Sequence, residues 1–197
     1  MYYYEDGNNV KYNRVTVIGE GSAIAYNAVL DVLFSDESDI EPVTLQEAKD
    51  WCRIDVSDDD DIITELITAA RIICEQYSNI SFIERTVTAR LKNELGGIYL
   101  PYGPVLSYDN PVTFTDDEGT EQGATDYTIV GVQFKAVKEP FTELTVSYPA
   151  GYDVLPKNLK KALLNQIAWM YEKRGDDEAA QISEQSKLIL NQVKRVH

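Results

Sequence analysis

Residues 43–83 read VTLQEAKDWCRIDVSDDDDIITELITAARIICEQYSNISFI, and this stretch restricts the fold more than any other. Thr44 followed three residues later by Glu47 is a capping box, the signature of a helix start. Leu45, Ala48, Trp51 and Cys52 then recur at helical spacing. This predicts a first helix over 43–54. Ser57 predicts the cap of a second helix over 58–78, with Asp58, Asp59, Asp60 and Asp61 piled on its first turn, where the amide dipoles favour negative charge. Ile62, Ile63, Leu66, Ala69, Ala70, Ile73 and Tyr77 make a broad apolar stripe, and Asn79 suits the left-handed residue that ends a helix. Two helices joined by an acidic turn are therefore the expected core.

Around this pair the pattern changes. Residues 1–41 read as an N-terminal extension. Arg14–Ile18 is β-branched, Ala23–Phe34 suits a strand or a short helix with 29–34 leaning to strand, and an acidic linker follows. Residues 84–149 alternate in short runs punctuated by Gly and Pro, which predicts a small antiparallel β module. Within it, 127–130 and 132–135 read as a pair turning around Gly131. Helical spacing returns over 156–173, where Leu159, Ala162, Leu163, Gln166, Ile167 and Met170 share a face. Gly175 breaks this helix. A last helix, starting near Asp176 or Asp177, carries a narrow stripe of Ile182, Ile189, Val193 and Val196, a seam against a neighbour in cis or in another subunit. The expected class is α+β: an antiparallel helical bundle of about four helices with an inserted β module. The core is 42–175, and 176–197 form a C-terminal helix or tail.

Chemistry finds little purchase. The single histidine is His197 at the end of the chain, so no Ser-His or Cys-His nucleophile system can be assembled in its interior. A calcium loop beginning at Asp55 fails, because its sixth position is Asp60 rather than Gly and its twelfth is Leu66 rather than Glu. Cys52 and Cys74 lie in helical apolar contexts; buried thiols are the plainer reading, a disulfide or reactive thiol the other. Gly19-Glu20-Gly21-Ser22 lacks the Lys-Ser/Thr of a phosphate loop. No catalytic, cofactor-binding or metal-ligating residue is expected, and no run approaches a membrane span or a secretory leader. The net charge of −15 argues against a protein that neutralises phosphates. The charge is uneven: residues 36–61 carry eleven acids and two bases, whereas 157–197 carry eight bases and five acids. Contact between unlike faces of two copies would use that asymmetry, and so would a solvated acidic face. Tyr102 and Tyr108, near turns, read equally as interface anchors and as partly buried strand residues.

Several segments in order resemble the head–tail connector (head-completion adaptor) proteins of tailed bacteriophages. They are Pro42–Lys49, Arg53–Asp55, Asp61–Ile63, Leu66–Arg71, Leu100–Ser107, Val146–Tyr152, Leu155–Ala162 and Trp169–Arg174. The resemblance spans roughly 41–175 and leaves out residues 1–40 and the last helix. It implies a structural virion protein made in the host cytoplasm. Its partners would be the portal, the next neck or tail protein and further copies of itself, in a dodecameric ring that extends the DNA channel without binding DNA specifically. On that basis Asp58–Asp61 become candidate channel-facing acids, repelling the passing duplex. Tyr102, Tyr108, Ile182, Ile189 and Val193 become candidate interface residues, and the tail from Ala179 to His197 is expected to dock on the portal or an adjacent subunit while remaining dispensable for folding. The competing classes are another tail-completion or head-decoration protein and, more distantly, an acid-dependent hydrolase.

Overall fold

A computed structural model describes residues 12–17, 24–106, 112–116, 119–122, 127–131 and 134–194. The class is α+β. The chain divides into a β unit (residues 1–37, 84–151 and 196–197) and a helical unit (38–83 and 152–195).

The β unit is built on β3 (Arg85–Asn93). Alternate residues Val87, Ala89 and Leu91 are buried, while Thr86, Thr88 and Arg90 point to the other side, the period-two pattern of a strand with one face on a core. β9 (Phe141–Ala150) runs antiparallel beside it in the register that sets Val87 opposite Tyr148, Ala89 opposite Val146 and Leu91 opposite Leu144. On the other side lies β2 (Ile24–Ser35), itself paired with β1 (Tyr12–Val17). β5 (Thr113–Thr115) and β6 (Glu121–Gln122) continue beyond β9, which makes a six-stranded sheet of order β1-β2-β3-β9-β5-β6. A three-stranded sheet of β4 (Ile98–Tyr99), β8 (Ala136–Val137) and β7 (Ile129–Val130) adds Ile98 and Val137 to the same core.

Two expectations need correction here. The N-terminal segment is no appendage to a small β module. Val32 and Phe34 of β2 lie in register with Ala89 and Val87 and pack on the core, so 24–35 is an inner strand of the main sheet. The partner of β7 is 136–137, not 132–135. Ala136 and Val137 are buried and pair with β4 as well, which makes β8 the central strand of its sheet. Gly131 has φ +102°, and a Cβ there would stand 2.2 Å from the Phe134 carbonyl oxygen, so the turn admits only glycine.

The helical unit contains α1 (Leu45–Cys52), α2 (Asp60–Ser78), α3 (Lys157–Glu172), a 3-10 turn (Asp177–Ala180) and α4 (Glu184–Leu190). The capping box is formed: Thr44 Oγ1 accepts the Glu47 N–H, and the Glu47 carboxylate accepts the Thr44 N–H. α1 closes at Arg53, in the left-handed conformation, and α2 at Asn79, likewise left-handed, whose N–H reaches the Glu75 carbonyl. α2 begins two residues later than expected and Ser57 is not its cap. The Ser57 carbonyl instead accepts the Asp60 N–H in a tight turn. Ile63, Ile67, Ala70 and Cys74 of α2 are buried along with Leu159, Leu163 and Ile167 of α3. Each of these larger side chains contributes about 2 kcal/mol by leaving water. The expected final helix resolves into the 3-10 turn and α4, and the buried members of α4 are Ser186 and Leu190 rather than Ile189. The reason is Gln166 of α3. Fully buried, it donates to the Gln181 carbonyl and accepts the Ser183 N–H, while Ser186 donates to the Ala162 carbonyl. Removing the segment from Ala179 onward, expected to be dispensable for folding, would take both of these backbone partners from Gln166.

Candidate functional site

The acidic turn between α1 and α2 is the most heavily charged feature of the helical unit, and its four consecutive carboxylates have different fates. Asp60 Oδ1 lies 2.5 Å from Nζ of Lys49, a lysine buried on the inner side of α1. Asp59 Oδ2 accepts the Tyr171 hydroxyl at 2.5 Å and lies 3.5 Å from Arg174 Nη1, whose guanidinium stacks 4.3 Å above the Tyr171 ring. Two of the four acids therefore pin the start of α2 to α1 and to the end of α3. Asp58 and Asp61 are exposed, as is Asp55. Apolar side chains stand among them: Trp51 is 43% exposed, Val56 58% and Ile62 44%. Exposed aromatic and branched residues gathered at one turn are a feature of contact surfaces.

At the opposite end of α3 the charge reverses. Lys157 and Lys161 are exposed and share a face at i,i+4 spacing, and Val154, just before the helix, is 78% exposed. Lys160 between them turns to Glu47 of α1, 2.6 Å away. That ammonium, and then the Thr44 N–H, hold the Glu47 carboxyl below its ordinary pKa.

The other expected site residues are scattered. Tyr102 belongs to the β unit, in a turn after β4, where its ring meets Phe34 edge-on at 4.8 Å and packs, half-buried, against the core. Tyr108, Val196 and His197 lie outside the described residues. Ile182, Ile189 and Val193 are half-buried in the C-terminal part of the helical unit. Neither Cys52 nor Cys74 is in a disulfide, and burial pushes both thiols above the ordinary value, Cys74 the more strongly, which disfavours a reactive thiolate. Among the described residues, no group of His, Cys, Asp and Glu is placed to hold a metal ion, and no helix is long and apolar enough to cross a membrane. Sequence periodicity did not point to Tyr171, Arg174, Lys49 or Gln166 as the groups that engage the turn and the tail. Trp51 and Ile62, expected on the apolar stripes of the first two helices, are exposed instead, and Val56 and Val154 lie outside the helices, where periodicity gives no signal.

Residues 42–116 match the family of phage gp6-like head–tail connector proteins, the family that the sequence resembles. No curated protein matches the chain. Among solved structures, a chain from the virion of a native gene transfer agent (GTA) particle is similar at a TM-score of 0.65 and 18% identity, over 84% of this chain and 96% of that one. A chain from the neck of an empty GTA particle, computed with C6 symmetry, is similar at 0.64 and 19%, over 85% and 97%. Another, from the neck of a native GTA particle computed with C12 symmetry, is similar at 0.58 and 18%. At these identities the likeness establishes a shared fold.

Proposed function

We propose that this chain is a structural subunit of a virion neck: a head–tail adaptor that forms a ring on the portal, extends the DNA channel and presents a surface to the next neck or tail component. The observation that carries this is the joint agreement of a connector-family match over 42–116 with a fold shared, over nearly the whole of the other chain, with components of a GTA neck. Twelvefold treatment of one such neck supports a ring of twelve. A net charge of −15 suits a protein that lets DNA pass without holding it, since like charge keeps the duplex from adhering. Of the four acids expected at the channel, Asp59 and Asp60 are engaged within the chain, which leaves Asp58 and Asp61 to face anything outside it.

The test is a particle preparation lacking this chain. The expected product is heads that package DNA but carry no joined tail, with the purified chain restoring the joint and appearing as a ring on isolated portals by electron microscopy. Normally tailed particles in its absence would overturn the proposal.

A further inference from the structure

Two surfaces of the helical unit are complementary and cannot meet within one copy. The first is the acidic turn, where exposed Asp55, Asp58 and Asp61 are interspersed along residues 51–62 with exposed Trp51, Val56 and Ile62. The second is the start of α3, where exposed Lys157 and Lys161 follow exposed Val154. Arg53 on the first and Asp153 on the second weaken the charge of each without reversing its sign. α3 runs between them. Lys160 in its first turn meets Glu47, and Tyr171 in its last meets Asp59. Between Lys160 and Tyr171 the helix rises about 16 Å, which sets Asp58 and Asp61 at the far end of α3 from Lys157 and Lys161.

The lysines are also misplaced for their own helix. A helix N-terminus carries partial positive charge, and α3 has no acidic residue in its first turn to answer it. Two exposed cations there are a local conflict of the kind that a contact outside the chain resolves. Exposed apolar groups at both sites supply what charge alone does not, since surface ion pairs contribute little by themselves.

We infer that the acidic turn of one copy docks on the α3 start of the next, Asp58 and Asp61 against Lys157 and Lys161 with Trp51, Val56 and Ile62 against Val154. The contact joins unlike surfaces, so it propagates head to tail and closes into a ring when the rotation per copy allows. It deepens the neck proposal and rests on it only for that closure. It also assigns Asp58 and Asp61 to a protein contact in preference to the channel wall, because exposed Trp51, Val56 and Ile62 beside them serve a protein surface and do nothing for passing DNA.

The experiment measures self-association of the full chain by sedimentation and native mass spectrometry over rising concentration. The wild type should associate, and less so in high salt. Asp58→Lys with Asp61→Lys should weaken association at least about tenfold, as should Lys157→Glu with Lys161→Glu, because like charges then face each other. An equimolar mixture of the two reversed chains should recover it, since each then offers the surface the other needs. Val154→Glu, at an exposed position that leaves folding intact, should weaken association too, with an unchanged circular dichroism spectrum. A wild type that stays monomeric throughout, or a mixture that does not recover, overturns the inference. Neither result touches the neck proposal, which stands or falls on whether tails join in particles lacking the chain.

Discussion

In the β unit, Val87, Ala89 and Leu91 meet Tyr148, Val146 and Leu144 across a ladder, so register places the core, and buried Asn27, Asn93 and Tyr148 then fasten the connecting turns to it. In the helical unit the apolar faces of α2 and α3 are equally buried, but long-range polar contacts decide how the segments are held. Arg71, nearly buried, reaches Glu75 at 3.0 Å and Glu41 at 2.9 Å, and the other oxygen of Glu75 accepts the Phe82 N–H at 2.6 Å. The lead-in to α1 and the turn after α2 are thereby fastened to one guanidinium–carboxylate pair. Ladders determine register by themselves. Helices packed through apolar stripes slide and rotate until directional contacts stop them, and here the stops are polar: charged at Arg71 and Glu75, neutral at Gln166 and Ser186.

The widest test of that contrast is Glu75→Ala. It takes one of two carboxylates from a buried guanidinium, leaving Glu41, removes the acceptor of the Phe82 N–H, and should cost about 3–5 kcal/mol in chemical denaturation. Leu91→Ala, an apolar deletion at the centre of the β ladder, should cost about 3 kcal/mol. If Glu75→Ala proved as mild as a surface change, the contrast between the units would fail. Gln166→Ala should cost about 1–3 kcal/mol and act locally: amide exchange should accelerate over 181–190 while β3 and β9 keep their protection. Uniform acceleration would mean that α4 is not held by Gln166. Thr44→Ala, which removes half the capping box, should cost about 1 kcal/mol.

The smallest effect concerns Glu47, whose pKa is lowered first by Lys160 and then by the Thr44 N–H. A lowered folded pKa means stabilisation that is complete above the unfolded carboxylate's value and is lost as pH falls through the folded one. Glu47→Gln should therefore cost under about 1 kcal/mol near neutrality, because the pair is largely exposed. The difference from wild type should vanish in acid. A difference that grew on acidification would show the sign to be wrong.

Much of this fold is legible locally. Thr44 with Glu47, and Asn79 after the α2 stripe, announce their helix ends because a cap involves groups three or four residues apart. The alternation of 85–91 announces a strand for the same reason. Ser57 misled because two acceptors compete at that turn: its hydroxyl promised a cap, but its backbone carbonyl takes the Asp60 N–H and the helix starts later. Tyr102 stays open between two readings because an aromatic beside Gly and Pro looks the same in sequence whether it faces solvent or packs, as here, on Phe34. In the tail the half-buried Ile182 and Ile189 are visible as a stripe, but the fully buried Ser183, Ser186 and Leu190, tied in part through Gln166, are not. A buried amide with two backbone partners outweighs a narrow stripe.

The amino-acid sequence by itself determined the three longer helices to within a few residues, the strand over 86–91, the α+β class, the connector resemblance and a charge distribution that disfavours nucleic-acid binding. Those properties depend on neighbours a few residues apart or on composition. Only the tertiary structure decided that β2 is an inner strand, that Asp59 is engaged by a tyrosine 112 residues away and Asp60 by a lysine eleven away, and that Asp58 and Asp61 are left exposed beside uncovered apolar groups. A carboxylate's periodic position is the same whether a distant cation or hydroxyl reaches it or not. The partner that folding brings near is what separates a structural acid from one available to another molecule.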